Sequence, residues 1–243
     1  MKIKEKLLAR QADAMGHRPI LIACVGDSVT HGCFDLDWSF PEGKVKFDVH
    51  YRPWEGYVAK LQTELLHRFP IAVPTVLNAG INGDGTEGIL PRLERDVLSF
   101  KPDLVVVAAA LNDACSIPVE RYEENLARIL DAILASGAEA IVQTPNVMCR
   151  RFAEERLPDN ELMRAFIDKF TDRMNGGLLD TFVEAARRVA AEKGVPVSDA
   201  YARWLALEAE GTDTTVLLSN GINHPTAEMH DVFVDELLKT MGL

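Results

Sequence analysis

Two residues far apart in the chain have the types that acyl transfer requires: Ser28, in the stretch VGDSVTHG, and His224, in NGINHPT. A serine hydrolase needs a hydroxyl nucleophile, a base within hydrogen-bond reach and preorganised donors for the oxyanion. Two further polar turns, NAGINGDG at 78–85 and LND at 111–113, follow apolar runs in the same way that GDS does. Gly-Asp-Ser is also ordinary turn chemistry, so the tripeptide alone does not decide between a nucleophile and a bend.

The positions of these turns are set by the elements before them. Pro19 to Val25 is a short apolar run bounded by proline and glycine, the pattern of a strand buried on both faces. Ser28 would therefore project from the carboxyl end of a central strand, where open α/β sheets bind ligands. Further strands are predicted at Val73 to Asn78, Asp103 to Ala110, Ala138 to Thr144 and Val195 to Ser198. Helices are predicted at Lys2 to Met15, Pro53 to Phe69, Leu90 to Phe100, Val119 to Ser136, Thr181 to Lys193 and Ala200 to Glu210, with a last one from near Pro225. The leading helix would pack on the outside, with Leu7, Leu8 and Ala12 near one face. Strands separated by helices give a mostly parallel sheet of about five strands in a three-layer α/β/α sandwich.

Two segments break the alternation. Cys33 to Arg52 has no helical period and reads as a long loop whose Trp38, Phe40, Phe47 and Tyr51 either line a cleft or anchor the loop. The charged segment 145–180 is partly helical and reads as a lid or an association surface.

GDSVTHG resembles the first block of the GDSL, or SGNH, hydrolase family, Gly-Asp-Ser-x-Thr-x-Gly. NAGINGDG resembles the second block, ALND the third with Ala110 in place of glycine, and His224-Pro225 the His-Pro pair of the last. The resemblance implies a single flavodoxin-like domain over residues 1–243 that hydrolyses esters without a metal or organic cofactor. It implies Ser28 as nucleophile, His224 as base, and an oxyanion hole from the Ser28 and Gly83 N–H groups and the Asn112 side chain. Asp27 would hold the turn, and Asn82 would pack beside Gly83.

One departure is serious. The family places an aspartate three residues before the histidine, where this chain has Gly221, and residues 217–224 contain no carboxylate. Losing that acid from a triad costs about 10⁴-fold in rate. A backbone carbonyl could orient His224 instead, a distant acid could do so (Asp213 and Glu228 are nearest in sequence), or the chain is a binding protein with an impaired site. A catalytic His224 is expected to lose activity as pH falls through about 6.5. The aromatic, polar stretch after Ser28 favours a short acyl ester, such as acetyl on a carbohydrate.

Other readings compete. Gly83-Asp-Gly85-Thr-Glu-Gly88 matches the GxGxxG dinucleotide fingerprint, but after the second predicted strand, whereas the fingerprint normally opens the first βαβ unit. His224, Glu228 and His230 match no established zinc spacing, and His230 reads as structural. His31 reads as a surface residue. Cys24, Cys33, Cys115 and Cys149 form no CxxC pair and read as free thiols, with Cys33 and Cys115 in the cleft wall. A net charge of −11 disfavours a nucleic-acid partner. The charged N-terminus does not read as a signal peptide and no run is long enough for a membrane span, so a cytoplasmic location is expected, with homo-oligomers left open.

Overall fold

A computed structural model describes residues 1–243. Its strands are β1 (Leu21–Gly26), β2 (Cys33–Ser39), β3 (Lys46–Tyr51), β4 (Thr75–Gly80), β5 (Leu104–Ala108), β6 (Glu139–Gln143) and β7 (Val197–Ser198). Five of them form one parallel sheet in the order β4-β1-β5-β6-β7, as the alternating pattern requires. β1 and β5 are buried along nearly their whole length, which explains their unbroken apolar sequences. The strand order reverses at β1, with β4 on one side and β5 on the other, and this opens a crevice beyond its carboxyl end.

The helices are α1 (Lys2–Ala12), α2 (Ser28–His31), α3 (Tyr57–Arg68), α4 (Thr86–Asp96), α5 (Asp113–Ser116), α6 (Val119–Ala135), α7 (Glu161–Asn175), α8 (Leu178–Glu192), α9 (Ala200–Ala209) and α10 (His230–Met241). α4, α6 and α8 pack side by side in one layer, and α3 packs with α10 in the other. The sheet and both layers share one continuous cluster of 60 buried apolar residues. No helix is long and apolar enough to cross a membrane.

The differences from the sequence reading have local causes. Cys33 to Arg52 is not a loop: β2 and β3 pair as an antiparallel ribbon, with Trp38 opposite Phe47. Its signal was a period of two, since Phe34, Leu36 and Trp38 alternate with Asp35 and Asp37, and Phe47, Val49 and Tyr51 alternate likewise. Helix α3 begins at Tyr57 after Gly56, because residues 53–56 turn the chain out of the ribbon. Helix α10 begins at His230, because Pro225 is held in a bridge to Leu218. The second strand of the chain's alternation runs to Gly80, two residues beyond Asn78. α4 starts at Thr86 and carries Pro91 inside it. In α1 the buried residues are Ile3 and Leu7, whereas Leu8 is exposed.

Candidate active site

The turn after β1 is built for a side chain at Ser28. Asp27 caps α2, its Oδ1 accepting the Val29 N–H at 2.9 Å, and the helix starts on Ser28 itself. Gly26 permits this tight exit: a Cβ there would lie 2.3 Å from Thr30 Oγ1 and 2.5 Å from the Ala108 carbonyl oxygen. Burial pushes the Asp27 carboxyl up to about 7, with the Asp113 charge adding to the rise and the Val29 N–H opposing it. Asp27 thus acts on the backbone of the turn, as the sequence reading expects.

His224 comes from the loop between α9 and α10. Asn220 shapes that loop, its Oδ1 accepting the N–H groups of Ile222, Asn223 and His224, each at 3.0 Å. Asn146, beyond β6, donates from Nδ2 to the Asn223 carbonyl at 2.8 Å and fastens the loop to the sheet. The imidazole lies between two partners: Nδ1 is 2.9 Å from the Phe34 carbonyl oxygen and Nε2 is 3.0 Å from Ser28 Oγ. A carbonyl only accepts, so the proton sits on Nδ1, and Nε2 presents its lone pair to the Ser28 hydroxyl. Burial pushes His224 down to about 4, against the Phe34 carbonyl and the Asp35 charge, both of which favour the protonated ring. A fall in activity near 6.5 is therefore not what this environment supports.

The carbonyl, contributed by β2, occupies the place of an orienting carboxylate. Asp213 instead pairs with Arg151 and caps the Thr215 N–H, and Glu228 is exposed; neither bonds the imidazole. Gly221, where the family has its acid, has φ +68 and faces Ala153 and Leu157, which fill the space a side chain would need.

Gly83 and Asn112 line the same cavity as Ser28 and His224, which has a volume of about 160 Å³. Asn112 donates from Nδ2 to the Asp84 carbonyl at 2.8 Å, which holds the ends of β4 and β5 together and leaves a second amide hydrogen for the cavity. Ala110 adopts φ +155, a conformation that suits the glycine of the family block better than an alanine. Asn82 is held from both ends: its N–H donates to His31 Nδ1 at 3.2 Å and its Nδ2 to the Tyr51 hydroxyl at 3.3 Å. His31 is thus an acceptor for the Gly83 loop rather than a free surface residue.

The far wall is apolar. Trp38 and Phe47 of the ribbon meet edge to face at 5.5 Å, and Phe166 of α7 stands 6.0 Å from Trp38. Leu36, Val49, Phe170 and Ile222 complete it, and no Asp, Glu, Lys or Arg lines the cavity. Of the four aromatics singled out in the sequence, Trp38 and Phe47 line the cavity, whereas Phe40 packs on the core and Tyr51 lies against His31 with the two rings tilted. Cys33 and Cys115 are not part of the wall.

The competing motifs are otherwise engaged. In the GDGTEG loop the Gly85 N–H is taken by Asp84, the Thr86 N–H by Asp113 and the Gly88 N–H by the Gly85 carbonyl, so the donors a pyrophosphate would need are spent beside two carboxylates. His230 accepts the Tyr57 N–H through Nδ1 at 3.0 Å, a structural role at the start of α3.

Comparison with known proteins places these motifs in one lineage. The family model of the GDSL-like lipases and acylhydrolases matches residues 24–232. An acetylxylan esterase of Geobacillus stearothermophilus is 34% identical over 89 residues, a match spanning 37% of this chain and 37% of that enzyme. The solved structure of an acetylxylan esterase from that organism superposes with a TM-score of 0.67 at 18% identity, covering 92% of this chain and 94% of the other. An α/β hydrolase from the metagenome of Lake Arreo superposes with a TM-score of 0.66 at 22% identity, over 92% and 95% of the two chains. These structural likenesses establish the shared fold, and the match over residues 24–232 establishes descent: the chain belongs to the GDSL-like lipase/acylhydrolase (SGNH) family.

Proposed function

We propose that the protein is a serine esterase that works with a Ser28–His224 dyad and removes a short acyl group, such as acetyl, from a carbohydrate or another small neutral alcohol. The observation that carries the reading is the 3.0 Å contact from Ser28 Oγ to a His224 Nε2 whose tautomer is fixed by a carbonyl. In the reaction, His224 Nε2 takes the Ser28 proton as Oγ attacks the ester carbonyl. The N–H groups of Ser28 and Gly83 and the Asn112 amide stabilise the oxyanion, each such donor being worth about 10² to 10³ in turnover. His224 then protonates the leaving alcohol, and water repeats the sequence on the acyl-enzyme.

Three features support the substrate class. The cavity has no charged side chain, so a charged substrate group would lose its hydration without a partner. Its aromatic wall suits the flat apolar face of a sugar ring, and its volume of about 160 Å³ is small. Acetylxylan esterases are among the proteins that share the fold. The test is a panel of acetyl, butyryl and octanoyl p-nitrophenyl esters alongside acetylated xylo-oligosaccharides. Acetyl esters should be turned over fastest, and equal turnover of octanoyl and acetyl esters would remove the short-acyl assignment. A purely binding role draws on the absence of a carboxylate at Nδ1, and turnover of any ester in the panel rules it out.

A further inference from the structure

Gly83 is not held in place by packing. Its φ is +77, and beyond its chain neighbours no atom stands within 4 Å of where a Cβ would lie. The residue after it is held instead. Asp84 donates its N–H to the Ile81 carbonyl at 3.1 Å, accepts the Gly85 N–H on Oδ1 at 2.9 Å, and through its own carbonyl accepts from the Asn112 amide at 2.8 Å. One residue therefore anchors the chain beside Gly83 and the side chain of Asn112.

Asp84 is in turn held by Arg92 of α4. Helical side chains lean towards the helix N-terminus, so the guanidinium reaches back past Thr86 to the loop. Its Nε and Nη2 lie 2.8 and 2.7 Å from Asp84 Oδ2, and the two side chains are only 8% and 10% exposed. Nη1 donates to the Ala79 carbonyl at 2.8 Å, and Nη2 lies 3.3 Å from the carbonyl oxygen of Gly26, two residues before Ser28. That Gly26 carbonyl also accepts the Ile81 N–H at 3.0 Å. One guanidinium thus ties together the exit of β1, the end of β4 and the loop that carries Gly83. Gly88 leaves the space this requires: a Cβ there would overlap Asp84 Oδ1, so the last glycine of GDGTEG serves the ion pair.

We propose that Arg92 and Asp84 are the positioning pair of the oxyanion hole, their ion pair fixing the Gly83 N–H and the Asn112 amide relative to Ser28. The proposal rests on the Ser28–His224 reading. Neither side chain touches substrate or the reacting atoms; both act through the backbone of residues 83–84. A shielded ion pair returns little net stability, because desolvation offsets the attraction, whereas a planar guanidinium shared among several acceptors fixes angles as well as distances. Asp96 also reaches Arg92, at 3.4 Å, but from the following turn of α4.

The experiment measures kcat and KM on p-nitrophenyl acetate, per site titrated with a fluorophosphonate, together with Tm. The variants are Gly88→Ala, Arg92→Lys and Asp96→Asn, each alone and combined with Asn112→Ala. Gly88→Ala is the mildest, since alanine favours the helix and the carboxylate it displaces is the free end of a side chain. Arg92→Lys keeps the charge and loses the planar fork. Both should lower kcat about 10- to 100-fold, as expected for donors displaced rather than removed, with KM within about twofold. In the Asn112→Ala background the same changes should cost at least about threefold less, because one of the donors they displace is already gone. Asp96→Asn breaks only the outer contact and should keep kcat within about twofold of the parent. A kcat within about twofold of the parent in Gly88→Ala or Arg92→Lys, or a loss carried by KM, would overturn the proposal. So would losses that multiply in full with Asn112→Ala, or a loss in Asp96→Asn equal to that in Arg92→Lys. Failure of the dyad reading looks different: the parent chain is then not titrated at all, or Ser28→Ala is titrated as well, and the proposal falls with it.

Discussion

Restoring the acid that the histidine loop lacks should not improve the enzyme. Gly221→Asp puts a carboxylate at the family position, yet the backbone there has φ +68, and a Cβ would lie 2.9 Å from Ala153 Cβ and 3.3 Å from Leu157 Cγ. The left-handed conformation costs a non-glycine residue about 1 kcal/mol. Forcing a side chain against a packed wall adds about 1–3 kcal/mol, for a total of about 2–4 kcal/mol. In a chain of this size that lowers Tm by roughly 5–15 °C. The new carboxylate would start from a Cβ facing residues 153–157, while Nδ1 of His224 is already committed to the Phe34 carbonyl. The assays are thermal denaturation and kcat on p-nitrophenyl acetate. A variant with an unchanged Tm and a kcat raised about tenfold or more, part of the roughly 10⁴-fold a triad acid can supply, would refute this reasoning.

Two further outcomes follow from the same geometry. Because burial holds His224 down to about 4, the ring stays neutral and competent as a base through pH 5–8, so kcat/KM should be flat there and fall only towards pH 4; half-loss near pH 6.5 in a stopped-assay profile would contradict the buried environment. Ala110→Gly should raise Tm by a few degrees, since φ +155 strains an alanine by about 1–3 kcal/mol and glycine gives back about 1 kcal/mol in chain entropy; a lowered Tm would show that the strain is not there.

The sheet was legible because its strands are buried on both faces and read as apolar runs such as LVVVA in β5, each ending in a polar turn. The ribbon was missed because a two-stranded, half-exposed element carries charges at every second position, and Asp35, Asp37 and Asp48 dilute the apolar signal that Phe34, Leu36, Trp38, Phe47 and Val49 provide. That omission also hid what orients His224. A main-chain carbonyl has no residue signature, so nothing in the type of Phe34 marks it as a partner 190 positions away. The acids nearest His224 in sequence, Asp213 and Glu228, bond elsewhere or face solvent, and the ring meets only the Phe34 carbonyl and Ser28. Asn220 and Asn146 were equally invisible as supports, because their partners are backbone groups of the histidine loop.

The central claim is that Ser28 is activated by His224 with no carboxylate bonded to the ring, and intact-mass analysis after fluorophosphonate treatment tests it most directly. The parent chain should gain one adduct, Ser28→Ala none, and His224→Ala should label far more slowly than the parent. An unlabelled parent chain, or an adduct that persists in Ser28→Ala, would contradict the account.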